Sequence, residues 1–184
     1  GDPKPDASAK LPMPSEADRT AAAGLIDETY EVAKVTTAAK KLDLARRLLE
    51  LAKKPGGDPA ERFVLFRKTA ELARTGGDAG LMLAAVDAMG DEFEVALLNG
   101  KGKLLVQFAK EGKDADAVAS LAEQLPTVID EMLAAGRPDA AHAVAEAAYN
   151  MAMRLRAIAH RKKLHDRRQA VLKIYQPWLR NRQA

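Results

Sequence analysis

Asp58, Asp78, Asp114 and Asp139 each follow a glycine within three residues, and each precedes Ala or Pro. The segments read Gly56-Gly57-Asp58-Pro59, Gly76-Gly77-Asp78-Ala79, Gly112-Lys113-Asp114-Ala115 and Gly136-Arg137-Pro138-Asp139-Ala140. Glycine adopts the left-handed conformation that ends a helix, and an aspartate carboxylate accepts hydrogen bonds from the free amides that start one. Punctuation of this kind divides the chain into helices joined by tight turns, so that consecutive helices run antiparallel. The stretches between the turns favour helix, since Ala alone occupies 37 of 184 positions and has the highest helix propensity. β-branched residues are sparse, and no stretch alternates apolar and polar residues as a half-buried strand does. The expected fold class is all-α: an antiparallel helical hairpin array of seven or eight helices, either superhelical or an irregular bundle.

The length suits one core and not two. Residues 1–14 contain Pro3, Pro5, Pro12 and Pro14, and proline disfavours helix at its own and the preceding position. They are expected to form a flexible tether or a linker, with 15–184 as a single helical domain. Ser15 is the expected N-cap of the first helix, with Asp18 as capping-box partner. Its inner face is read as Leu25, Ile26, Tyr30 and Ala33, and it should fade near Thr36-Thr37. The second helix carries Leu42, Ala45, Leu48, Leu49 and Ala52 and stops at Pro55-Gly56-Gly57. Phe63, Phe66, Ala70 and Ala73 mark the third. Leu81, Met82, Ala85, Val86 and Met89 mark the fourth, which should end near Gly90 and be followed by a turn over 91–94. The fifth, roughly 95–111, is interrupted by Gly100 and Gly102, so it should begin after Gly102 or bend there. Pro126 should bend the sixth. The seventh begins at Pro138-Asp139, and a break near Ala159-His160 separates it from an eighth that carries Leu164, Val171, Tyr175 and Trp178, unless the two are one long helix.

Little here resembles an enzyme. There is no Cys, which removes thiolate chemistry and disulfides. His160 and His165 stand about 140° apart around a helix, and His142 is distant in sequence, so the three do not form a zinc ligand set. Serines occur only at positions 8, 15 and 120, none in a nucleophile turn. Asn99-Gly100-Lys101-Gly102-Lys103 lacks the spacing of a phosphate loop. Neither cofactor nor metal is expected. No apolar run reaches the ~20 residues of a membrane span.

Charge is unevenly distributed. From Arg154 onward ten Lys and Arg face one acid, Asp166, giving +9, against −6 for residues 1–153. Arg161, Lys162, Lys163, Arg167 and Arg168 are therefore the candidate contacts for an acidic partner. In the alternative reading, the apolar line of 164, 171, 175 and 178 packs on the bundle while the cations are solvated or answer the acidic remainder.

Glu71-Leu72-Ala73-Arg74-Thr75-Gly76 and Glu131-Met132-Leu133-Ala134-Ala135-Gly136 are alike, and each precedes an Ala-rich helix. Such units resemble degenerate tetratricopeptide-type hairpins, although the junction spacing is irregular. Three further stretches are Leu11-Pro12-Met13-Pro14, Lys41-Leu42-Asp43-Leu44-Ala45-Arg46-Arg47-Leu48-Leu49 and Asp58-Pro59-Ala60-Glu61-Arg62-Phe63-Val64-Leu65, to which Ala70-Glu71-Leu72-Ala73-Arg74-Thr75-Gly76-Gly77-Asp78 adds a fourth. On these, the chain resembles a helical N-terminal module of unknown function found in large exported proteins of planctomycete-type bacteria. The resemblance implies an extracytoplasmic scaffold and brings no catalytic residues. It is also the only basis for expecting export, because these residues show no targeting segment.

The expected function is thus non-enzymatic: protein–protein interaction or scaffolding, with another protein or domain as partner. The alternative is binding of nucleic acid or an acidic surface through the basic C-terminal helix. Gly57, Asp58, Gly76, Asp78, Gly112, Asp114, Gly136 and Asp139 are expected to shape the helix junctions.

Overall fold

The structure is a computed structural model that describes residues 10–183. Within them the chain forms eight α-helices and no strands. They are α1 (Glu16–Thr29), α2 (Ala38–Ala52), α3 (Pro59–Gly76), α4 (Ala79–Glu92), α5 (Leu97–Glu111), α6 (Ala115–Ala134), α7 (Pro138–Arg154) and α8 (Ile158–Gln183), with a 3-10 turn at Val32–Lys34.

The helix starts follow from short polar side chains. Asp58 accepts from the Ala60 amide, Asp78 from Leu81 and Asp114 from Ala117. Ser15 accepts from the Asp18 amide and Thr37 from Lys40. Each satisfies an amide that has no partner inside its helix. α4 gains a second cap from another helix, because the Ser120 hydroxyl on α6 accepts from the Ala79 amide at 2.8 Å. Asp139 differs from the other three aspartates. Arg137 occupies the N-cap position of α7 without a side-chain cap, and Asp139 sits inside the first turn because Pro138 has already begun the helix.

The helix stops are of two kinds. Gly77 and Gly136 take the left-handed conformation. At each, the next residue's amide reaches back five residues to a helical carbonyl: Asp78 to Ala73 and Arg137 to Met132. This paired-bond ending satisfies carbonyls that the helix leaves open. The same ending closes α7, where Ala157 donates to Ala152, but the left-handed residue is Arg156, with φ 54°. The break between α7 and α8 therefore lies at 155–157, earlier than the expected 159–160. Gly112 departs in the other sense: its φ is −56°, which any residue adopts. A Cβ there would overlap the Met151 methyl and crowd the Phe108 carbonyl at 3.2 Å, and Met151 is itself buried, so the small size of Gly112 matters and its backbone freedom does not.

Other expectations shift by a few residues. α1 ends at Thr29, well before Thr36-Thr37, because Glu31 is left-handed at φ 48° and a β-branched run follows. Tyr30 and Ala33 thus lie beyond it, and Leu25, expected inside, is 54% exposed. α4 continues through Glu92, and the expected turn at 91–94 is replaced by a docking point. Leu11 donates to the Glu92 carbonyl and accepts from the Glu94 amide, both at 2.8 Å. The end of the expected 1–14 tether is therefore attached at this point, while residues 1–9 lie outside the described region. α5 includes both glycines: Gly100 has open space around its Cβ position, and Gly102 faces Met132 and Ala140. α6 runs without interruption through Pro126.

Packing is local. From α2 onward each helix contacts the next one along the chain, and contacts also join α1 to α3, α2 to α4, α3 to α5, α4 to α6, α5 to α7 and α6 to α8. No two helices further apart in sequence meet among the described residues, and α1 does not meet α2. The result is a zigzag of two rows, odd-numbered helices in one and even-numbered in the other. Ala45, Ala52, Ala73, Ala79, Ala85, Ala141, Ala148 and Ala152 are wholly buried, with Phe66, Phe93 and Phe108 as the large core side chains.

Two single substitutions should stabilise the fold, each by about 0.5–1 kcal/mol. Gly100→Ala removes backbone entropy from an uncrowded helix interior, and Arg156→Gly relieves a left-handed side-chain-bearing residue. Gly112→Ala should destabilise it. Urea unfolding followed by circular dichroism reads all three, and a loss of stability in either of the first two contradicts the assigned conformations.

Candidate functional site

The thinnest contact in the odd row is between α3 and α5. A groove of about 670 Å³ opens there, with α1 on its far side. Phe66, Val86, Met89 and Leu104 form its apolar floor, and Arg67, Glu71 and Arg74 stand along its edge. Arg74 reaches across to Glu111 on α5, tying the two walls at one end. Gln107 also lines the next cavity along the row, between α5 and α7.

That second groove consists of two adjoining cavities of about 370 and 390 Å³ that share Val106, Lys110 and Ala143. α5 and α7 run parallel, since Arg137 donates to Asn99 Oδ1 at one end and Arg154 donates to the Ala109 and Gly112 carbonyls at the other. The Arg154 guanidinium thereby covers the open carbonyls of α5, where a cation is favoured. Small residues, Gly102 and Ala140 among them, keep the floor shallow.

The electrostatics of this groove are one-sided. Arg137 forms a two-pronged pair with Asp139, at 3.0 and 2.9 Å. The hydrogen bond from Arg137 holds the Asp139 carboxyl below the usual carboxylate range, and the same bond raises the guanidinium. Glu146, on the groove wall, is engaged by Arg168 of α8. Lys103 and Lys110 are left exposed without an acidic partner among the described residues.

On the opposite side of α5, Lys101 is 4% exposed. Its Nζ lies 2.6 Å from Asp87 of α4 and 2.7 Å from Glu131 of α6. Burial works to lower its pKa, but the hydrogen bonds to Asp87 and Glu131 and the two negative charges outweigh it, so the net shift is upward. The ammonium thus anchors α5, and with it the wall shared by both grooves. Glu92, beneath the docked Leu11, is pushed up by burial, which the Arg62 guanidinium at 2.5 Å only partly opposes.

The five cations expected from the sequence do not form one open patch. Arg167 lies 3.8 Å from Asp130 of α6, and Arg168 pairs with Glu146 of α7 while resting over the Tyr149 ring at 5.0 Å. Lys162 pairs with Asp166 along α8 itself. Arg161 is half-buried with an unpartnered Nε, and Lys163 is exposed beside Pro126. Two of the five thus face acids on α6 and α7, and among the described residues only Arg168 is hydrogen-bonded across. Leu164 and Val171 are buried on the same helix, Tyr175 stacks on His142 at 4.4 Å, and Ile158 at its start is 76% exposed.

The junction residues remain architectural. Gly57 is left-handed, Gly76 ends α3 beside Leu42, and Asp58, Asp78 and Asp114 cap helices. The grooved face was missed because its cations are scattered in sequence. Lys103 and Lys110 lie two turns apart on one helical face, a signal that the nearby glycines obscured. Among the described residues no three His, Asp or Glu side chains are grouped to hold a metal, and no helix is long and apolar enough to cross a membrane.

The upward shift at Lys101 has a sign. Protonation is favoured in the folded state, so the contribution to stability is full below the unfolded lysine's pKa and is lost as pH rises through the folded value. Lys101→Met should lower stability at neutral pH by about 1–2 kcal/mol, because Asp87 and Glu131 are partly solvated and their loss of a partner is softened. Urea midpoints across pH 7–11 should show the gap closing at the alkaline end; a gap that is absent at pH 7 or widens with pH contradicts the assignment.

No family model, curated protein or solved structure shows significant similarity to this chain.

Proposed function

We propose that the protein is a non-enzymatic interaction module whose working surface is the grooved face of the odd-numbered helices, and that its partner is another protein or domain. The observation that carries the reading is the continuity of that face. Gln107 belongs to both grooves, so the α3–α5 cleft and the α5–α7 groove form one surface with an apolar floor and a charged edge. Concave or grooved faces of this kind are how stacked helical hairpins present a large contact area on a rigid support. The scaffold role and exported setting implied by the sequence resemblance fit this reading and stand or fall separately from it.

Nucleic-acid binding through α8 has less support, because Arg167 and Arg168 are already paired to the bundle. Phosphate contacts need cations that are available to release counterions.

Selection of random 16-residue peptides by phage display, followed by NMR mapping of the selected peptides, tests the reading. The account expects amide shifts in α3, α5 and α7 on the grooved side. Peptides that map to α8, or a selection that yields no binder, contradict it. A 20-base-pair duplex titrated at low salt should show no affinity that depends on Lys163 and Lys173.

A further inference from the structure

The two grooves differ in the charge left free along them. The α3–α5 cleft is lined by Arg19, Arg67, Lys68 and Arg74 against one acid, Glu71. Lys68 and Arg74 are engaged by Asp27 and Glu111, and Glu71 stands one helical turn from Arg67, so the free edge is mixed. The α5–α7 groove is lined by Lys103, Lys110, Arg137 and Arg154 against one acid, Glu146, already engaged by Arg168. Arg137 and Arg154 are also committed, to Asp139 and to the carbonyls at the end of α5. Among the described residues two cations of this groove remain to meet a ligand, Lys103 and Lys110.

Their geometry narrows the ligand. Seven residues along a helix advance about 10 Å and return to nearly the same face, so the two ammonium groups repeat at the interval of two helical turns. Between them and α7 lies a shallow apolar floor that includes Val106, Ala140 and Ala143. Two parallel helices with small residues facing outward leave a trough into which the side-chain ridge of a third helix fits. A phosphate or a lone carboxylate would satisfy the cations but leave the apolar floor wet. A wholly apolar helix would cover the floor but bring nothing to the two lysines.

We infer that the α5–α7 groove takes an acidic amphipathic helix of a partner protein, with its apolar ridge on Val106, Ala140 and Ala143 and carboxylates two turns apart against Lys103 and Lys110. The inference rests on the reading of the grooved face as a docking surface and specifies its occupant. Binding of this kind gains from charge chiefly in encounter rate and selectivity, and from the apolar ridge in affinity. It weakens as salt screens the exposed ammonium groups.

The test uses three fluorescein-labelled 18-residue helical peptides with the same leucine face, carrying Glu, Gln or Lys at the polar positions. Fluorescence anisotropy is read with the full chain, with Lys103→Glu/Lys110→Glu, with Ala143→Trp and with Lys163→Glu/Lys173→Glu as the α8 control. Circular dichroism checks that each variant folds. The Glu peptide should bind at least tenfold tighter than the Gln peptide, and the Lys peptide more weakly than either. The preference should vanish in the Lys103/Lys110 variant, affinity should drop in Ala143→Trp, and the α8 control should leave both unchanged. Equal binding of the Glu and Gln peptides overturns the acidic occupant while leaving the groove as a docking surface. A preference that survives in the Lys103/Lys110 variant, or one that the α8 control abolishes, overturns the site. Failure of all three peptides to bind overturns the inference, whereas the docking surface itself is then decided by the phage-selected peptides.

Discussion

Close approach of helices at buried alanines is the constraint from which the rest of this structure follows. Ala45, Ala52, Ala73, Ala85, Ala141, Ala148 and Ala152 are wholly buried. A buried methyl takes up little of the space between neighbouring helices, and larger side chains such as Leu48, Met82, Leu105, Ile129 and Met132 fill the rest. A helix can then touch both its sequence neighbours and the helices two places away, and little else. Aromatic residues are few, and all four phenylalanines, Phe63, Phe66, Phe93 and Phe108, are buried in the core. Gly112 extends the same logic to a turn, where any Cβ would collide with Met151.

Such packing has a consequence for surface shape. Rows of helices joined by small side chains have troughs between them, and a row that spreads at one place opens a cleft. Here the spreading occurs between α3 and α5, bridged at one end by Arg74 and Glu111. α5 is consequently the helix on which the grooved face depends. Its back is fixed by a buried lysine that reaches acids on two other helices, and its end is covered by Arg154. The charges facing solvent on α5 are therefore carried by a rigid element, as a binding surface requires.

Much of the architecture was legible in the sequence, for identifiable reasons. Asp58, Asp78 and Asp114 cap helices as their spacing indicates, and Gly77 and Gly136 stop them. These are local interactions, completed within five residues. Where local chemistry gave no sign, the reading slipped. The end of α7 uses Arg156 in a conformation that normally points to glycine, so the break was placed three residues late. Asp139 looked like a cap but follows Pro138, which had already begun the helix. Lys101 sat in a glycine-rich stretch that suggested an interrupted helix, whereas its partners lie on α4 and α6. Of the grooved face the sequence carries only the spacing of Lys103 and Lys110, because the grooves themselves depend on how far apart α3, α5 and α7 stand. The basic C-terminal run was conspicuous in sequence, yet its acidic partners Asp130 and Glu146 are on other helices.

If packing reaches no further than two helices along the chain, stability is a sum of neighbouring interfaces and damage at one end stays there. Hydrogen exchange on a chain ending at Ala157, which lacks α8, measures this directly. The account predicts that amides in α2, α3 and α4 keep the protection they have in the full chain, while α6 and α7 lose part of theirs. Loss of protection in α2 and α3 on removal of α8 would show a core shared by all the helices and would contradict the two-row zigzag.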